Sequence, residues 1–101
     1  MQLHPETQAF ADLLQQVERL LRDHGSTFWA DQVAACLRSV SQSDAYGLHR
    51  FRSLLGGMGS LNDVVLHRNG VWLTKENDEL HALLNEAYEA AGRLARDQPH
   101  P

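Results

Sequence analysis

The dipeptide Asn69-Gly70 lies between two short apolar runs, and it constrains the fold of this chain more than any other feature. Asparagine followed by glycine tolerates the positive φ angles of a type I′ turn, which joins two antiparallel strands through a two-residue loop. Such a turn pairs His67 with Trp72 and Arg68 with Val71. Because an isolated hairpin is only marginally stable in water, we expect this one to pack on the rest of the chain.

The alternation of side chains along a strand divides the hairpin into two faces. The aliphatic face comprises Val64, Leu66, Val71 and Leu73. The opposite face comprises Val65, His67, Trp72 and Thr74. We expect the aliphatic face to pack on helices, and the other face to carry a half-exposed cross-strand pair of His67 and Trp72.

Apolar residues at spacings of three and four, which are typical of amphipathic helices, fill most of the remaining sequence. They form four stripes. The first comprises Phe10, Leu13, Leu14, Val17, Leu20 and Leu21. The second comprises Phe28, Trp29, Val33, Cys36, Leu37 and Val40, and the shorter third comprises Leu48, Phe51, Leu54 and Leu55. The last comprises Leu80, Leu83, Leu84, Ala87, Tyr88, Ala91 and Leu94.

Residues that favour helix ends separate these stripes. Gly25 is expected to end the first helix in the left-handed conformation, and Ser26 or Thr27 to cap the second. Thr74 or Asn77 is expected to cap the last helix. The positions of these residues therefore set the predicted helix boundaries.

Gly47 and two charged pairs add detail to the helices. Glu18 with Arg22, and Glu89 with Arg93, are spaced at i,i+4 and are expected to pair on helix surfaces. Gly47 falls inside the third helix, where glycine costs up to ~1 kcal/mol relative to alanine. It either weakens that helix or marks a close contact with another one.

The pattern predicts a mainly α (α+β) fold of about four helices, with one β-hairpin inserted before the last helix. The 101 residues match the length of one ordinary domain and can bury a core without disulfides. We therefore predict a single domain over residues 1–101, with residues 1–5 and 97–101 loose.

Three of the seven glycines fall within residues 56–59, directly after the third predicted helix. Consecutive backbone N–H groups in a sharp turn can cradle an anion, and Arg50 and Arg52 lie just before this turn as counter-charges. A phosphate loop would need a following lysine, and a dinucleotide-binding turn a preceding strand; the sequence has neither. The pattern favours a structural interpretation, in which a helix end continues into a close-packed turn with Met58 as filler.

The residues after the glycines extend this candidate site. Ser60-Leu61-Asn62-Asp63 matches the [ST]-x-x-[DE] capping pattern and predicts a single helical turn from Ser60. Asn62 and Asp63 are candidates to contact a ligand, with Asp63 as a base, or their side chains bond to the backbone of the turn, which the pattern favours. The candidate ligand-binding residues are Gly57, Met58, Gly59, Ser60, Asn62 and Asp63, together with Arg50 and Arg52.

The segment 56–66, taken with Asn69-Gly70, resembles a small family of uncharacterised bacterial proteins that share a GGMGS-[FL]-ND stretch followed by hydrophobic residues. In that family the stretch follows two or three amphipathic helices, and Trp29 and the segment 77–88 fit the same pattern. The resemblance covers most of the chain and implies a bacterial domain. It implies no activity, because the family has no established function.

The charge and cysteine content narrow the compartment and the partners. Nine basic and 13 acidic residues give a net charge of −4, whereas nucleic acid and anionic membranes attract basic surfaces, so we expect neither partner. Cys36 is the only cysteine, and no N-terminal apolar run resembles a signal peptide, which indicates a cytoplasmic protein. Eight arginines against one lysine are typical of a GC-rich bacterial genome.

No residue set for catalysis or metal binding is identifiable in the sequence. The six histidines include no i,i+4 pair and no H-E-x-x-H motif, and one cysteine offers no zinc spacing. A catalytic carboxylate pair, a Cys–His pair and a G-x-S-x-G elbow are also missing. We therefore expect a protein without catalytic residues, metal or cofactor.

The hairpin and the start of the last helix supply a second candidate surface. Trp72 and His67 pair across the strands, and Glu76, Asp78 and Glu79 follow shortly after. An acidic run at this position usually favours the positive end of a helix. Its sharper interpretation is a docking face for a basic partner, with these five residues as the partner-binding candidates.

Two hypotheses of function follow. The favoured one is a non-catalytic cytoplasmic module that binds another protein, for which an immunity or antitoxin-like role against a basic enzyme is one version. The alternative is a protein that binds a small ligand or an anion at the glycine turn, residues 56–63. Either hypothesis accommodates a homodimer formed through the last helix and Trp72.

Overall fold

The computed structural model describes residues 4–42, 45–55 and 60–97, most of which are helical. The helices are α1 (Pro5–Asp23), α2 (Thr27–Ser41), α3 (Ala45–Leu54) and α4 (Thr74–Asp97). Between α3 and α4 lie a 3-10 turn, Leu61–Asp63, and two antiparallel strands, β1 (His67–Arg68) and β2 (Val71–Trp72). The predicted fold, four helices with a hairpin before the last, is confirmed.

The connection between α1 and α2 follows the predicted glycine cap. Gly25 has a φ of +81°, and its N–H donates to the carbonyl of Arg22. The N–H of Ser26 reaches back to the carbonyl of Leu21 over 2.8 Å, which completes the paired bonds of a Schellman motif. Ser26 occupies the N-cap position of α2, but its hydroxyl makes no capping hydrogen bond there.

The core lies where α1 packs against both α2 and α4, and α3 packs mainly against α2. The rings of Phe10 and Phe51 meet edge-on at its centre, with 5.4 Å between their centroids. Around them lie other fully buried side chains, including Leu14, Leu21, Val33, Leu61, Leu66 and Leu80. Leu66 is the one described residue of the hairpin that is fully buried, and its side chain joins the hairpin to the core.

Gly47 brings the backbone of α3 against α2. A Cβ atom at this position would lie 2.7 Å from the carbonyl oxygen of Cys36, 2.7 Å from the Cβ of Ser39 and 2.9 Å from the backbone nitrogen of Val40. Real Cβ atoms do not approach backbone atoms so closely, so only glycine fits. Of the two alternatives for Gly47, the close helix contact is confirmed.

The hairpin has the predicted turn and register. Asn69 and Gly70 have φ angles of 53° and 78°, and His67 pairs with Trp72. The predicted aliphatic face is wrong in part, because Val71 is 64% exposed. Each strand is only two residues long, so the hairpin tip projects beyond the helices that would have to cover Val71.

The predicted caps of the last helix are wrong. The helix begins at Thr74, and Asn77 lies in its first turn, where the Asn77 N–H donates to the carbonyl of Leu73. Leu73 therefore occupies the cap position. The side chain of Asn77 is buried and bonds to the hairpin instead of capping the helix.

Two aromatic residues of the predicted stripes lie outside the core. Tyr88 is half exposed, and so is Phe28, whose ring packs edge-on against Trp29. In α4 the buried positions near Tyr88 are the small residues Ala87 and Ala91. Tyr88 lies about 100° around the helix from Ala87, which leaves it at the edge of the buried face.

Candidate functional site

The glycine turn is the first predicted site, and the structure describes only its flanks. Gly57, Met58 and Gly59 lie outside the described residues, as does Gly56. The helical turn predicted from Ser60 is confirmed as the 3-10 turn Leu61–Asp63.

Ser60 occupies the cap position of that turn. Its backbone carbonyl accepts the N–H of Asp63 at 2.9 Å. Its hydroxyl makes no capping bond, and Ser60 Oγ, although buried, has no hydrogen-bond partner among the described residues. A buried hydroxyl usually has a partner, so Ser60 departs from the capping role that its motif predicts.

Arg50 lies at the interface of α3 with α2. Its Nη2 donates to Gln32 Oε1 at 2.9 Å, and its guanidinium group lies beside Cys36. Burial raises the pKa of the Cys36 thiol to about 11, and the positive charge of Arg50 offsets part of that effect. The contacts of Arg50 are thus with α2, whereas the sequence suggested a counter-charge for the glycine turn.

Arg52 precedes the glycine turn and Asn62 follows it, and both line concavities against α4. Arg52 lines a groove between α3 and the second half of α4, and Asn62 lines an adjoining pocket near Leu84. Tyr88 borders both concavities. Two of the predicted ligand-binding residues are therefore brought to one side of the molecule.

Sequence reasoning missed the α4 residues of this groove. They are Tyr88, Glu89, Gly92, Arg93 and Arg96. Their spacing by three, four and seven residues was a usable signal, because residues so spaced share one face of a helix. Tyr88 was placed in the apolar stripe and Arg93 was paired with Glu89, so this shared face was not identified.

The hairpin is the second predicted site, and it presents an apolar surface to solvent. Trp72 is 59% exposed, and both Val65 and Val71 are also largely uncovered. His67, the cross-strand partner of Trp72, is exposed as well. An exposed tryptophan is the kind of residue that dominates binding energy at protein interfaces, and the exposed valines add to the apolar area around it.

Asn77 fastens this hairpin to α4. Its Oδ1 accepts the N–H of Leu66 at 2.8 Å, and its Nδ2 donates to the carbonyls of Leu66 at 2.9 Å and Leu73 at 2.8 Å. One buried amide thus satisfies backbone groups on both strands' inner ends. The hairpin is held in a fixed position relative to the first turn of α4.

The predicted acidic residues lie on that first stretch of α4. Asp78 and Glu79 are exposed, and Glu76 is half-buried. Because Asn77 stands among them and holds the hairpin, the acidic side chains and Trp72 belong to one rigid unit. We name Val65, Trp72, Asp78 and Glu79 the hairpin surface.

The described residues contain no group of three or more His, Cys, Asp and Glu side chains placed to hold a metal ion. Within the same ranges, none of the helices has the length and apolar character needed to cross a membrane.

Comparison with known proteins places the chain in one family. Residues 22–74, just over half of the chain, match a domain of unknown function (DUF6966), and the chain belongs to that family. The matched segment runs from the last turn of α1 to the first residue of α4, so it includes the hairpin. No curated protein and no solved structure matches the chain.

Proposed function

We propose that this protein is a non-catalytic module that binds another protein through the hairpin surface. The observation that carries the proposal is Trp72, a large aromatic side chain that is 59% exposed on a hairpin fixed by a buried amide. Tryptophan is enriched among the residues that dominate binding energy. Because the hairpin is held rigidly, Trp72 loses little conformational freedom on binding, which favours affinity.

The charge around the hairpin supports a basic partner. Asp78 and Glu79 are exposed on α4 directly after Asn77, which holds the hairpin, and the whole chain carries a net charge of −4. Acidic groups at the rim of an apolar centre steer a basic partner and raise the association rate. We therefore propose a partner whose contact surface is positively charged, such as an enzyme that acts on nucleic acid.

An immunity or antitoxin-like role is the concrete version that we favour. A small acidic protein that covers the basic active surface of an enzyme needs no catalytic residues of its own. We further propose that the protein is bacterial and cytoplasmic, for which the arginine-rich usage and the lone, buried Cys36 are the supporting features. A toxin-like gene beside its own gene would support this version, and an unrelated metabolic operon would argue against it.

The test is affinity capture from the native host with the wild-type chain and the Trp72→Ala variant. We expect one basic protein to be enriched by the wild type. Removal of a central tryptophan costs about 2 kcal/mol or more at a hot spot. The dissociation constant of the partner complex should therefore rise at least about 30-fold in the Trp72→Ala variant.

The matched control is Phe28→Ala, because Phe28 is exposed to a similar degree on a different part of the molecule. This variant should keep wild-type affinity, and both variants should keep wild-type circular dichroism. Capture of no partner, or equal losses in the two variants, would contradict the proposal.

A further inference from the structure

A groove between α3 and α4, which we name the α3–α4 groove, differs in charge from the hairpin surface. It has a volume of about 360 Å³ and is lined by Arg52, Tyr88, Glu89, Gly92, Arg93 and Arg96. Three guanidinium groups against one carboxylate leave a local charge of +2 on a chain whose net charge is −4. The charge of the groove is therefore opposite in sign to that of the whole chain.

The three arginines form no ion pair with any residue that the structure describes. Both ion pairs among the described residues belong to Arg22, and Glu89 does not pair with Arg93 although the i,i+4 spacing would allow it. Surface arginines that converge without carboxylate partners repel one another. An anion placed between them would relieve that repulsion and could accept several charge-assisted hydrogen bonds.

Gly92 keeps the floor of the groove open. Glycine is unfavourable inside a helix, yet this one lies in the interior of α4. A Cβ at Gly92 would lie 3.6 Å from Nη1 of Arg96, so this guanidinium group lies over the bare backbone. A larger side chain at this position would fill the space beneath the arginine.

The groove continues into an adjoining pocket of about 300 Å³. This pocket is lined by Leu55, Asn62, Leu84, Asn85 and Tyr88. Tyr88 borders both spaces with an exposed ring, and each asparagine amide offers a hydrogen-bond donor and an acceptor. An arginine-rich end, an aromatic ring and two amides therefore follow one another along α4.

We propose that the α3–α4 groove binds a nucleoside phosphate. Arg52, Arg93 and Arg96 receive the phosphoryl group, since guanidinium groups match phosphate oxygens in a bidentate manner. The base stacks on Tyr88, and the amides of Asn62 and Asn85 meet its edge, in the way that amide side chains bind adenine. The volumes fall near the lower end of the range of about 300–1,000 Å³ for small-molecule pockets.

This site goes beyond the proposed protein-binding function and uses none of the hairpin residues. A bare anion would need only the arginines and would leave Tyr88 and the amide pocket without a role. An acidic peptide would meet Glu89 and would likewise gain nothing from the two asparagines. The sequence of groups along the groove favours a ligand with a phosphoryl group at one end and a planar polar ring at the other.

The experiment is a nuclear magnetic resonance titration of the full chain with AMP, adenosine and inorganic phosphate in separate arms. We expect AMP to bind with a dissociation constant below about 1 mM and to shift resonances of Arg52, Asn85, Tyr88 and Arg93. Stacking on an aromatic ring should make AMP bind at least about 5-fold more tightly than inorganic phosphate. Adenosine, which lacks the phosphoryl group, should bind more weakly than AMP.

Variants separate the roles within the groove. Arg93→Gln should weaken AMP binding at least about 10-fold, whereas Arg38→Gln, on the exposed surface of α2, should leave it unchanged. Tyr88→Phe should keep the affinity and Tyr88→Leu should lose about 5-fold. Glu89→Gln should tighten binding about 2-fold, because it removes the one negative charge among the described residues that line the groove.

The proposal is overturned if AMP produces no shifts in the groove, or if Arg93→Gln and Arg38→Gln bind AMP equally. Equal affinities for AMP and inorganic phosphate would also overturn it, because the base would then make no contact. In a fourth arm with a glutamate-rich peptide, tighter binding of the peptide than of AMP would also overturn it.

Discussion

Helix α3 has two sides that contrast in every physical respect. Towards α2 it packs so closely that a single methyl group at Gly47 would collide with the α2 backbone, and Phe51 closes the core against Phe10. Towards α4 it makes few contacts, and long charged side chains such as Arg52 and Arg93 line an open groove. One short helix therefore has a close backbone contact on one side and an open groove on the other.

The difference teaches where stability and binding reside. Backbone contact at Gly47 and apolar packing at Phe51 fix α3 from one side, so its other side is not needed to hold the fold. The residues that line the groove are therefore not constrained by folding. They can serve ligand binding even though their like charges repel one another. We expect substitutions on the α2 side to change stability strongly and substitutions on the α4 side to change it little.

The largest expected effect is the loss of the Phe51 ring. Phe51→Ala removes a fully buried aromatic side chain and its edge-on contact with Phe10, and should lower the free energy of unfolding by about 4 kcal/mol. Tyr88→Ala on the open side should cost no more than about 0.5 kcal/mol. Urea denaturation followed by circular dichroism measures both.

A domain of this size is stable by only about 5–15 kcal/mol, so Phe51→Ala can approach complete unfolding. Phe51→Leu keeps most of the volume and should cost less than Phe51→Ala. If Tyr88→Ala were as destabilising as Phe51→Ala, the groove would be part of the stabilising core and the contrast between the two sides would fail.

The sequence predicted those parts of the fold that depend on local backbone chemistry. The hairpin turn follows from the positive φ angles that Asn69 and Gly70 tolerate, and the end of α1 follows from Gly25. These outcomes need only neighbouring residues. The buried role of Asn77 depends on backbone groups of Leu66, eleven residues away, and its position near a helix start made capping the natural interpretation.

The candidate sites show the same division. The exposed state of Trp72 follows from a hairpin too short to be covered, and its pairing with His67 could be predicted from the turn alone. The gathering of Arg52 with Arg93 could not, because it requires the relative placement of α3 and α4. Local spacing within α4 marked a shared face but did not show which helix stood opposite.

Gly47→Ala tests the closed side at its narrowest point. The added methyl group would meet the carbonyl of Cys36 and the backbone nitrogen of Val40, which cannot move without separating the helices. We expect a loss of about 2 kcal/mol in the free energy of unfolding, despite the better helix propensity of alanine. The denaturant midpoints of the variant and the wild type, multiplied by a common m-value, give this difference in the free energy of unfolding. A neutral or stabilising outcome would show that α3 can shift away from α2.

Cys36 makes the closed side sensitive to alkaline pH. Burial raises the pKa of its thiol from 9.0 to about 11, so the unfolded chain loses this proton first as the pH rises. The stabilising contribution is intact below pH 9 and is lost between pH 9 and 11, at up to about 1.4 kcal/mol per pH unit. Urea midpoints measured across this range for the wild type and for Cys36→Ala isolate the effect, because all other groups titrate in both. Parallel curves would mean that the thiol is not shielded by the α2–α3 contact.

A further small effect is expected on the open side, and it has the opposite sign. Gly92, like Gly47, is a glycine inside a helix, but a Cβ there would meet only Nη1 of Arg96, at an ordinary distance of 3.6 Å. Gly92→Ala should therefore raise the free energy of unfolding by about 0.5–1 kcal/mol, the usual gain of alanine over glycine in a helix. Thermal unfolding detects the change as a higher midpoint. Because the same substitution is expected to destabilise at position 47 and stabilise at position 92, the pair measures the contrast between the two sides of α3 directly. Destabilisation at both positions would mean that the groove is as closely packed as the α2 interface, with no room left for a ligand.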